Sequence, residues 1–276
     1  IEPPLHPEDP AKHLLDFGTE PDNFNYTIFH DFVNKQRVTD KDKITKGVFA
    51  PWMCSKEEFK SIGGHCRLLY SPQSAEDSDA WNRLLLNGND FYQARDSFTG
   101  HLTCRGNRRN VKDGAPDIHT NNPEWEIQNI KSRRNFASQW HQHTLHDEYS
   151  YPVILDVYDI GFIVHNCNEQ IISILEPWCN TIFVDCEYPV KYIENEQPNT
   201  VYDLESKIED ISNCDLNNLK NDITIEFDCW ESTERAFINN IDYYMQFITG
   251  GFSQMLSQSG AVGIMEYDIF KFYIKK

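Results

Sequence analysis

No stretch of the chain comes near the roughly eighteen consecutive apolar residues that a bilayer-spanning helix needs. None of its eight cysteines forms a Cys-x-x-Cys pair, which removes zinc-ribbon and thioredoxin-type readings. Gly-x-Gly-x-x-Gly is also absent, and no alternating strand–helix rhythm is visible. Both absences speak against a dinucleotide-binding fold. Internal repeats, heptads and low-complexity tracts are missing as well. Histidine stops at His165, so any site built on imidazoles must come from the residues before that point. Lys and Arg are missing altogether between Asn135 and Val190.

That gap in positive charge belongs to a chain with 43 acidic against 25 basic side chains, net −18. A field this negative repels polyanions, so non-specific nucleic-acid binding is not expected, and an anionic ligand has to be captured locally. Aromatic residues make up 13 % of the chain, a content that favours strands and turns over long helices. An even number of cysteines spread over most of the length suits four disulfides in an oxidising compartment. The start at Ile1 rather than Met reads as a processed end, and Asn25-Tyr26-Thr27 is a glycosylation sequon. The expectation is a secreted, acidic glycoprotein.

Positive charge does gather in one place. Arg105, Arg108, Arg109, Lys112, Lys131, Arg133 and Arg134 face only Asp113, Asp117, Glu124 and Glu126, a local net of +3. Directly downstream comes Trp140-His141-Gln142-His143-Thr144-Leu145-His146-Asp147-Glu148. Cations beside imidazoles can hold an anion and move protons near it. His141 and His143 are the candidate acid–base pair, with Arg108, Arg109, Arg133 and Arg134 as anion clamps and Trp140 as a stacking platform. If the segment is extended, His141 and His143 share a face; if helical, His143 and His146 do. The isolated His6, His13, His30, His65 and His101 read as structural or exposed, while His119 lies inside the basic island.

The organisation reads as a single β-rich domain over 1–276, with an extended Pro-rich arm at 1–10 and a sub-division near 197–221. Ser55-Lys-Glu-Glu58 is a capping box opening a short helix to about Ser61, and residues 77–87 predict a second helix stopped by Gly88. Residues 106–123 read as a long loop. Strands are expected from Trp125 onward: at 152–165, 170–175, 181–185, 188–194, 222–228 and the final run 261–274, with helices at 203–212 and 232–249. The fold class expected is therefore α+β and strand-dominated: a disulfide-stapled β-sandwich or jelly roll with a few peripheral helices.

Two local patterns resemble known families. His141-x-His143 followed by Glu148 resembles the first motif of cupins, although the preceding glycine of that motif is Asn135 here. The resemblance implies a transition metal held by His141, His143, Glu148 and His165. Gln139-Trp140-His141 followed by Pro152 and the apolar Val153–Val157 is similar to jelly-roll polysaccharide lyases of the heparin-lyase type, which implies their fold. The function expected is a secreted, cofactor-free enzyme that cleaves a polyanion, either RNA (as a nuclease toxin) or an acidic polysaccharide, by His acid–base chemistry. The alternatives are a non-catalytic recognition protein (a lectin-like module, signalling glycoprotein or binding toxin) and a cupin-like metalloprotein.

Overall fold

The computed structural model describes residues 1, 12–18, 20–71, 73–102, 109–112, 115–156, 158–186, 189–229, 240, 244–245, 260, 262–267 and 269–275, with backbone alone for 109–119. In chain order the elements are α1 (Tyr26–Thr39), β1 (Ile44–Lys46), α2 (Lys56–Ser61), α3 (Arg67–Tyr70), α4 (Glu76–Leu86), β2 (Tyr92–Ala94), β3 (Arg109–Lys112), β4 (Ala115–Asn121) and α5 (Pro123–Trp140). They continue with β5 (Ile160–His165), α6 (Glu169–Leu175), β6 (Thr181–Val184), α7 (Pro189–Glu196), α8 (Leu204–Lys207), β7 (Ile208–Asp210), β8 (Ile223–Asp228), β9 (Gly263–Tyr267) and β10 (Phe270–Ile274). They divide into two compact units. The first holds residues 1–66, 71–130 and 144–153; the second holds 67–70, 131–143 and 154–276. The segment 197–221 lies inside the second unit.

In the first unit, Asn25 caps α1 by accepting from the Ile28 N–H. Ser55 and Glu58 complete the expected capping box at α2. On α4 the fully buried Asp79 accepts from the Arg83 guanidinium, which also donates to the carbonyls of Ile62 and Gly64. That one cation fixes the Gly63-Gly64 turn to the helix. Val48, Trp81, Leu84 and Phe91 form the buried cluster, and β1 pairs antiparallel with β2. The expected loop at 106–123 is, in its described part, an antiparallel hairpin of β3 and β4.

The second unit is built on a six-stranded mixed sheet in the order β7-β6-β5-β8-β10-β9. β7, β6, β5 and β8 run parallel, while β10 is antiparallel to both β8 and β9. Alternation puts Ile160, Phe162, Val164, Ile223, Ile225, Phe227, Phe270, Phe272 and Ile274 on one face, buried in a single cluster with Ile171, Ile172 and Leu175 of α6, Tyr192 of α7 and Leu204 of α8. The other face carries Gly161, Ile163, His165, Thr224, Glu226, Lys271 and Tyr273. Gly161 is required there: a methyl at this position would overlap the side-chain amide of Asn221, which donates to Asp159 at 2.7 Å.

The chain is α+β, as expected, but several finer expectations are corrected. Helical residues outnumber strand residues among the described ones, so the fold is not strand-dominated, and helix crossovers between parallel strands replace the sandwich. The segments 170–175 and 188–194 are the helices α6 and α7, and the run from Trp125 is α5. A strand–helix rhythm, not visible in the sequence, runs from β5 to β7. The helix at 232–249 lies largely outside the described residues. No disulfide is formed among the seven described cysteines; Cys104 lies outside the described residues.

What ties α5, α6, α7 and α8 together is a buried carboxylate. Glu176, directly after α6 and 3 % exposed, accepts from Lys207 Nζ at 2.7 Å and from Arg134 Nη2 at 3.0 Å. The Tyr192 hydroxyl donates to it at 3.4 Å. Removing one partner of a buried ion pair leaves the other charge uncompensated, at a cost of about 3–5 kcal/mol. Glu176→Ala is therefore expected to lose that much stability by urea unfolding, with Lys207→Met costing less because it leaves Arg134 in place. A thiol titration in denaturant is expected to count at least seven reactive cysteines without reductant; a count near zero would refute the absence of disulfides among them.

Candidate functional site

The residues expected to form an acid–base site follow the end of α5, and the structure disperses their functions. Trp140 ends the helix and is 6 % exposed, stacked near Phe136 at 6.2 Å, so it is a core residue rather than a platform. His141 adopts a left-handed conformation, φ +49°, with its N–H still bonded to the Ala137 carbonyl. It is neither helical nor extended. Its ring is buried, with Nδ1 3.0 Å from the Tyr158 carbonyl oxygen. His143 packs edge-on against Trp178 at 4.7 Å. Gln142 lies between them, its Oε1 accepting from the Leu155 N–H.

The clamps part company as well. Arg134 is committed to Glu176, Glu196, the Tyr192 hydroxyl and the Ser173 carbonyl, so it clamps the protein's own carboxylates. Arg133 is exposed one residue earlier on the helix. Arg108 lies outside the described residues, and the Arg109 side chain does too. Asn135, at the position of the cupin glycine, is a buried bridge donating to the carbonyls of Leu69 and Asn199. For the alternative metal ligands His141, His143, Glu148 and His165, no group of three or more His, Cys, Asp or Glu suited to a metal occurs among the described residues, and His165 pairs with Glu226.

A formed cavity exists instead in the first unit. It encloses about 620 Å³, within the usual range for small-ligand sites. Its walls bring together Lys12 and His13, the stretch Phe49-Ala-Pro-Trp52, and the stretch from Asp90 through Arg95 to Phe98 and His101. Phe49, Trp52, Phe91, Tyr92 and Phe98 supply rings. Lys12 stands 5.5 Å from the centre of the Phe49 ring. Among the described residues of the wall Asp90 is the carboxylate, and it is well supplied with donors: Lys46 Nζ at 2.9 Å, the Tyr151 hydroxyl at 2.6 Å and the Tyr92 hydroxyl at 2.8 Å all reach it. Those hydrogen bonds, with the Lys46 contribution largest, hold its carboxyl far below the usual range. Lys12 and Arg95 supply cationic groups on the described part of the wall. His13, against Phe32 and Phe98, has its pKa lowered by burial and by the charge of Arg95.

Of these residues, the sequence marks His13 and His101 only as structural or exposed, and the rest carry no signal in it. The wall combines three segments far apart in the chain, so no local spacing announces it. The chain matches no protein-family model, and no curated protein or solved structure shows similarity to it.

His141 has a measurable consequence of its own. Burial, aided by the charge of Lys207, pushes its pKa below 6.5, and burial does the same to His146. Below about pH 6.5 the unfolded chain then binds more protons than the native one, so stability falls as the pH drops toward the lower native values. Urea midpoints are expected to decline between about pH 7 and 5, and His141→Gln to flatten the decline.

Proposed function

We propose that the chain is a recognition protein whose first unit binds a small ring-bearing anion in the aromatic, cationic cleft. The observation that carries this reading is the cleft's composition on a chain of net −18: among its described residues the wall brings together five aromatic rings, the cations Lys12 and Arg95, and Asp90, which is paired with Lys46. Arg offers a planar fork for a carboxylate or phosphate, and aromatic walls accept the face of a sugar or base. The surrounding negative field disfavours long polyanions, so the ligand is one anionic residue: a terminal uronate of an acidic glycan or a single nucleotide. This keeps the anionic ligand chemistry expected from the sequence and transfers its capture from the Arg133–His143 region to the cleft.

Calorimetric titration with a glucuronate-terminated disaccharide and with a mononucleotide tests the proposal and separates the two sources. One of them is expected to bind, and Arg95→Ala to weaken it by about tenfold or more, since a charge-assisted hydrogen bond contributes about 1.5–3 kcal/mol. Absence of binding by both probes, or undiminished binding by the variant, would reject the cleft as the site.

A further inference from the structure

The second unit carries an arrangement that the cleft does not explain. In its sheet, the connections from β5 lead through β6 to β7 on one side, while β8 is added on the other side of β5. Such a reversal leaves a crevice outside the carboxyl ends of the two strands, where ligands of open α/β sheets bind. His165 is the last residue of β5, in register with Asp228, the last of β8. Its side chain is on the sheet face opposite the helix-packed core.

One carboxylate meets it there, and two further side chains reach that carboxylate. His165 Nε2 lies 2.9 Å from Glu226 Oε1. The other carboxylate oxygen of Glu226 accepts from the Tyr273 hydroxyl at 2.5 Å, and Lys271 Nζ stands 3.9 Å from it. The imidazole side chain is 41 % exposed, and Nδ1 makes no hydrogen bond among the described residues. A carboxylate that accepts the hydrogen bond from Nε2–H fixes the tautomer and leaves a basic Nδ1 lone pair facing outward. The phenol and the ammonium in turn hold the carboxylate. A merely solvated sheet face needs none of this order.

We propose that His165 is a general base at the carboxyl end of β5, with Glu226 its positioning residue, acting on the hydroxyl of an uncharged ligand. The neighbourhood selects against anions. Asn166 donates from its side chain to Asp228 at 2.7 Å and from its backbone to Asp185 at 2.7 Å, so two more carboxylates border the strand end. The backbone N–H of Cys167 is also taken by Asp185, at 2.9 Å. The amides that would hold a phosphate in a dinucleotide site are thus occupied by the protein's own acid. In the proton transfer, Nδ1 takes the hydroxyl proton and the resulting imidazolium is stabilised by Glu226, which keeps its hydrogen bond to Nε2.

Carbethoxylation by diethyl pyrocarbonate at about pH 8, mapped by mass spectrometry, tests the base directly. Nδ1 attacks a carbonyl carbon of the reagent, ethyl carbonate leaves, and the Nε2 proton passes through Glu226 to solvent. His165 is expected to react faster than the exposed His30, and Glu226→Gln to slow it by about fivefold while leaving His30 unchanged. Tyr273→Phe, which keeps the carboxylate, is expected to hold the His165 rate within about twofold. A His165 rate no greater than that of His30 in the native protein would overturn the proposal, whether or not Glu226→Gln folds. An unchanged His165 rate in a folded Glu226→Gln protein would overturn it equally.

Discussion

Everything in the second unit is arranged around the burial of one carboxylate. Glu176 is reached by Arg134 from α5, Tyr192 from α7 and Lys207 from the end of α8. Glu196 takes the remaining face of Arg134 at 3.3 Å. The cluster therefore holds two carboxylates and two cations, and its net charge is zero. Burying it is tolerable only in that balance, because each ion removed from water costs several kcal/mol unless its partners replace the lost hydration. No Lys or Arg occurs between Asn135 and Val190, so the balancing charges come from the last cation before that gap and from one well beyond it. The long-range closure of the helices onto the sheet follows from where the few positive charges lie.

This is also why Arg134 misleads when read from sequence. An arginine in a basic run followed by histidines has the composition of an anion site, and composition does not reveal that the anion is the protein's own Glu176. Trp140 and His141 mislead in the same way. Their order fits a stacking platform beside a base, yet both side chains are buried at the end of α5, one against Phe136 and the other against the Tyr158 carbonyl.

The elements legible in the sequence are those whose signal is local. The capping box of α2, the helix α4 with its Gly88 stop, and the strands β6 and β8 fall close to where patterning puts them. The misread elements have a common physical cause. Ile171, Ile172 and Leu175 are all fully buried on a helix of seven residues, too short a run to show a helical period, and β-branching suggests a strand. In α5 the expected polarity is inverted: Ile127 and Ile130 are exposed while Ser132 and Asn135 are buried. A sheet of parallel strands adds to the confusion, since its central strand β5 is buried on both faces and shows no alternation.

A strongly acidic chain must spend its cations carefully, and the same device recurs in both units. Asp79 is satisfied by Arg83, Asp90 by Lys46 and two tyrosines, Glu176 by Arg134 and Lys207, and Glu226 by His165, Tyr273 and the nearby Lys271. Tyrosine and histidine act here as substitutes for scarce lysine and arginine, supplying donors without changing the charge. Around the cleft, Asp90 is held by Lys46 and two tyrosines, so Lys12 and Arg95 share a wall with a carboxylate that already has its donors. At the end of β5, Asp185 and Asp228 take donors from Asn166 and Cys167, and the His165 imidazole, held by Glu226, faces solvent beside them. The two proposed sites thus differ in which donors their carboxylates have already taken.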